Sequence, residues 1–62
     1  MKIQISTRYE TEEKEMTRQD LVNLVRSKFS RDFSVLSFRI DLESGVNSFF
    51  SENVTIKILS DG

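Results

Sequence analysis

The sequence predicts a small α+β domain of the order β-α-β-β, one amphipathic helix packed on a three-stranded mixed or antiparallel sheet. Three observations carry this reading. Residues 16–33 hold a start signal, an apolar stripe and an end, and two stretches, 36–42 and 53–59, alternate apolar with polar residues. The chain has 62 residues, so residues 1–62 form a single domain with one hydrophobic layer. A chain this short buries only about 60% of the surface its unfolded form exposes.

The first strand spans residues 2–9, where Ile3 and Ile5 alternate with Lys2, Gln4 and Ser6, and Thr7 and Tyr9 continue the period of two. Residues 10–15 carry charge and no large apolar side chain, which reads as a solvated connection. The helix then begins on Thr17, whose hydroxyl is placed to accept from a backbone N–H near Asp20, with the Asp20 carboxylate in the first turn where the helix dipole favours it. Met16 before the cap and Leu21 in the first turns form a hydrophobic staple. Leu21, Leu24, Val25 and Phe29 follow the i, i+3, i+4 spacing, with Val22 beside them and Phe33 at the edge. Burying the four supplies on the order of 6 to 12 kcal/mol, an upper figure because unfolded chains already hide some surface.

Residues 30–34 close the helix without glycine. Leu36, Phe38, Ile40 and Leu42 then alternate with Ser37, Arg39 and Asp41, giving the second strand. Ser44 and Gly45 turn the backbone. The third strand places Val54, Ile56 and Ile58 inward and Thr55 and Lys57 outward, and residues 60–62 read as a frayed end. A right-handed crossover makes the first two strands parallel, with the third antiparallel to the second and central between them.

Composition narrows the function. There is no Cys and no His, which removes disulfides, thiolate ligands and imidazole chemistry, so no metal or other cofactor is expected and the fold relies on its core or on a second copy of itself. No long apolar run or signal-peptide pattern is present, which reads as a soluble cytoplasmic protein that does not enter a membrane. The formal net charge is -1 but unevenly spread. The middle is basic through Arg18, Arg26, Lys28, Arg31 and Arg39, while the acids Glu10, Glu12, Glu13 and Glu15 precede it and Asp41, Glu43, Glu52 and Asp61 follow it. Binding to nucleic acid is therefore not favoured by composition. The acid pairs Glu12/Glu13 and Asp41/Glu43 lie outside apolar sequence that would separate their pKa values into acid and base roles, so no catalytic residue is assigned and the chain reads as a non-enzyme.

Two stretches stand out as contact surfaces. The outer helix face presents Gln19, Asn23, Ser27 and Ser30, short uncharged groups suited to close approach, where a merely solvated helix more often shows Glu and Lys. Residues 46–52 connect two strands with more chain than a tight hairpin needs, and carry Val46, Phe49 and Phe50. These side chains either plug the end of the core or anchor a partner. The leading expectation is a protein-interaction or regulatory domain, homodimeric, working through Val46, Phe49 and Phe50 or through Gln19, Asn23 and Ser27. The alternative is a small nucleic-acid-binding protein that sets Arg26, Lys28, Arg31 and Arg39 against phosphates. The outward sheet face, read as Lys2, Gln4, Ser6, Arg8, Ser37, Arg39, Thr55 and Lys57, adds cations but no aromatic ring on which a base could stack.

Overall fold

A computed structural model describes residues 1–60. The chain runs β1 (Lys2–Thr7), β2 (Thr11–Glu15), α1 (Arg18–Lys28), α2 (Val35–Glu43), β3 (Ser48–Phe50) and β4 (Val54–Ser60). The strands form one sheet of order β2-β1-β4-β3 in which every neighbouring pair is antiparallel. The expected three-stranded sheet with one helix is thereby corrected to β-β-α-α-β-β, four strands and two helices among the described residues.

Two segments account for the difference. Residues 10–15, read as a connection, include an edge strand. The Thr7 N–H donates to the Glu10 carbonyl at 2.8 Å, and the Thr7 hydroxyl accepts from the Glu10 N–H at 3.3 Å, which turns the chain back along β1. All five residues of β2 are exposed, so neither face of the strand carries the apolar half that periodicity detects. Backbone pairing holds it, and charge assists: Lys2 lies 3.2 Å from Glu13 across the ladder. Such exposed pairs contribute at most about 1 kcal/mol.

Residues 36–42, read as a strand, are helical. Ser34 caps α2, its hydroxyl accepting from the Ser37 N–H. The alternation of Leu36, Phe38, Ile40 and Leu42 coexists with a second pattern, Val35, Phe38 and Leu42, at helical spacing. The helix buries Phe38 and Leu42, half-buries Val35 and leaves Leu36 and Ile40 on the surface. With that stretch helical, the expected parallel crossover between the first two strands disappears.

The remaining elements fall near their expected places. Thr17 caps α1 with a reciprocal capping box, the Asp20 N–H donating to the Thr17 hydroxyl at 3.0 Å and the Thr17 N–H to the Asp20 carboxylate at 3.3 Å. The helix ends at Lys28, just before the 30–34 segment expected to close it, because the chain tightens around Phe29, whose carbonyl accepts from the Asp32 and Phe33 N–H groups. The first strand stops at Thr7 rather than Tyr9. The last, β4, buries Val54 and Ile56 and lies between β1 and β3, not between the first strand and residues 36–42 as expected, because those residues are helical. Ser60 belongs to that strand, and the rest of the expected frayed end lies outside the described residues.

Both helices cover one sheet face. Ile3 and Ile5 of β1, Phe49 of β3 and Val54 and Ile56 of β4 meet Leu21, Val22 and Val25 of α1 and Phe38 and Leu42 of α2 in a single core, with Leu24, Phe29 and Phe33 half-buried at its margin. The Phe38 ring is its hub, 4.2 Å from the Phe49 ring and 5.8 Å from that of Phe33.

Candidate functional site

Strand alternation divides β3 between the two sides of the sheet. Phe49 pairs with Ile56, points with it into the core and is 6% exposed; Phe50 pairs with Thr55, lies on the opposite face and is 69% exposed. The candidate site loses Phe49, which stacks on Phe38 and is structural. It keeps Phe50, and also Val46, which is exposed in the connection before β3. The length of the 46–52 stretch is thus explained by a short strand and a turn. The turn is organised by Ser51, whose hydroxyl accepts from the Asn53 and Val54 N–H groups.

The face of the sheet away from the helices is uncovered. Register places Ser48 and Phe50 of β3, Thr55 and Lys57 of β4, Lys2, Gln4 and Ser6 of β1, and Thr11, Glu13 and Glu15 of β2 on it. Its two flanks differ. The β2 side is acidic, whereas the β3 side carries the exposed Phe50 ring. Ser37 and Arg39, expected on this face, belong to α2 instead.

The two strand edges differ in the same sense. On either side of β3, the Ile58 N–H donates to the Asn47 carbonyl and the Ser51 N–H to the Val54 carbonyl. The alternation of an antiparallel ladder makes Phe49 the next bonded position and directs the N–H and C=O of Ser48 and Phe50 away from β4, toward the open edge. Bonds joining Met1 with Met16 and Thr7 with Glu10 direct the backbone groups of Thr11, Glu13 and Glu15 outward from β2 in the same way. Residues 44–51 contain no charged side chain, the longest such run in a chain that is 31% charged. The β2 edge carries Glu12, Glu13 and Glu15 against Lys14.

The expected helix stripe lies on the exposed side of α1, but its groups are engaged within the helix. The Gln19 amide donates to the Asn23 side-chain oxygen at 3.3 Å and the Ser27 hydroxyl to the Leu24 carbonyl at 3.2 Å. The alternative phosphate ligands come from three segments: Arg26 and Lys28 from α1, Arg31 from the inter-helix turn, and Arg39 from α2, where it faces Glu43 at 3.6 Å. Glu12 and Glu13 take opposite faces of β2, beside Lys14 and Lys2 respectively. Among the described residues no cluster of three or more metal-ligating side chains occurs, and no helix is long and apolar enough to cross a membrane.

Shallow clefts flank these elements. One of about 250 Å³ lies between Arg18, Leu42, Val46, Asn47 and Leu59, and another of about 210 Å³ between Ile5, Leu24 and Phe29, with Lys14, Lys28, Glu10 and Glu12 also lining it. Two further apolar residues, Leu36 and Ile40, are exposed on α2, where a strand would turn them inward. Their i, i+4 spacing on a helix capped by Ser34 is the signal that finds them. Comparison with known protein families, curated proteins and solved structures found no significant match.

Proposed function

We propose that the chain is a non-enzymatic protein-interaction module that works by surface contact at the β3 side of its uncovered sheet face. The observation that supports this most is the division of Phe49 from Phe50. One ring completes the core and its neighbour stands in water on a face that no helix covers. Fully burying a phenylalanine is worth about 1.5–3 kcal/mol, so an exposed ring beside a charge-free edge is a ready anchor for another protein. Val46 and Leu59 are also exposed, beside a cleft shared with Arg18 and Leu42 rather than beside Phe50. The pairing of Arg39 with Glu43 and the acidic β2 flank favour a protein partner over a phosphate backbone.

The test is Phe50→Ser. Because the side chain faces away from the core, the variant keeps its far-ultraviolet spectrum and unfolding midpoint, and it loses association that the wild-type chain shows in mass measurements and in capture from native lysate. Unchanged association with a folded Phe50→Ser chain refutes the assignment.

A further inference from the structure

We infer that the β3 edge joins two copies of this chain, pairing β3 with β3 about a twofold axis through Phe49 to make one continuous sheet. The inference rests on the reading of the β3 side as a contact surface and names its occupant.

Three features of the edge select a second copy. The outward backbone groups belong to Ser48 and Phe50, one residue either side of Phe49. In an antiparallel pair centred on Phe49, Ser48 of each copy therefore stands opposite Phe50 of the other and exchanges both backbone bonds with it. The side-chain fit follows from the same register. Ser48 and Phe50 both lie on the uncovered face, so each large exposed ring meets a small hydroxyl rather than another ring, and the pairing draws Phe50 out of water.

Charge then chooses between the two edges. Two β2 edges would bring Glu13 and Glu15 of one copy against those of the other, where like charges directly opposite are destabilising. The β3 strand and its flanks, residues 44–51, bring no charge to the junction. The strand is only three residues long, so the contact falls well below the roughly 1,600 Å² of a standard stable interface. The dimer is accordingly one that forms with concentration rather than a permanent one.

Light scattering of the full chain from micromolar to millimolar concentration is the first measurement. The mass rises from 7.2 kDa toward twice that value, and a mass that stays at one copy throughout overturns the inference. Ser48→Pro is the second. Its missing N–H is one that points away from β4, so the fold survives as edge strands allow, while self-association is lost. A folded Ser48→Pro chain that still doubles its mass also overturns the pairing. Where Ser48→Pro does not fold, amide exchange on the wild-type chain decides. Protection of the Ser48 and Phe50 N–H groups that grows with concentration supports the pairing, and protection that ignores concentration refutes it. A chain that remains a monomer while Phe50→Ser still abolishes capture of another protein refutes self-pairing and leaves the interaction reading standing, whereas a chain that does neither loses both.

Discussion

Alanine substitutions at Leu36, Phe38, Ile40 and Leu42 separate the helix from the strand that the same residues imitate. On a strand all four side chains share one face and each truncation is costly. On α2 they divide: Phe38 is 1% and Leu42 4% exposed, whereas Leu36 is 67% and Ile40 53% exposed. Phe38→Ala removes a ring packed between Phe33 and Phe49, for which a loss of about 3–5 kcal/mol is expected, and Leu42→Ala about 2–5 kcal/mol. Leu36→Ala removes little buried surface and stays within about 0.5 kcal/mol, and Ile40→Ala, which loses a half-exposed side chain but gains the higher helix propensity of alanine, stays within about 1 kcal/mol. A domain of this size holds roughly 3–9 kcal/mol in total, so Phe38→Ala consumes much of it. Phe38→Leu, which keeps most of the volume, gives a readable curve if the alanine variant does not fold. The assay is urea unfolding followed by circular dichroism, with midpoints compared at equal slope. Losses above about 2 kcal/mol at Leu36 or Ile40, or a loss below about 1 kcal/mol at Phe38, would refute the helical packing.

Two other substitutions probe local stability. Thr17→Ala removes the acceptor for the Asp20 N–H and is expected to cost about 1 kcal/mol in urea unfolding, with Thr17→Ser restoring most of it. Gly45 has φ of 93° with open space where a Cβ would sit, so Gly45→Ala meets no steric neighbour and costs about 1–2 kcal/mol from backbone conformation alone. A neutral Gly45→Ala chain would show that this turn relaxes freely.

What the sequence made legible was the part whose code is local and complete. The start of α1 needs only Thr17, Asp20 and the apolar residues that follow, and β4 announces itself through Val54, Ile56 and Ile58. The edge strand β2 has no such code, because with both faces wet its only instruction is the backbone of β1 beside it. In α2 the difficulty was the opposite one, since a short segment satisfied two periods at once. Packing resolved it, as Phe38 can reach both Phe33 and Phe49 in the helical arrangement. The candidate site was legible as a stretch but not as a side. An adjacent pair of phenylalanines in a loop has no defined faces, and only the pairing of Phe49 with Ile56 decides which ring goes in.

The adjacency of β1 and β4 at the middle of the sheet has a consequence for biosynthesis. Lys2 pairs with Ser60 and Thr7 with Val54, so a growing chain carries the β1–β2 hairpin with one flank bare until residues 54–60 have been made. Ile3 and Ile5 then lack their cross-strand neighbours Ile58 and Ile56, and closing so long a loop is the slow step that topology imposes. Proteolytic loss of residues 54–60 would therefore do more than shorten the domain: it would turn an interior strand into a sticky rim, the kind of species that quality-control proteases and aggregates compete to collect.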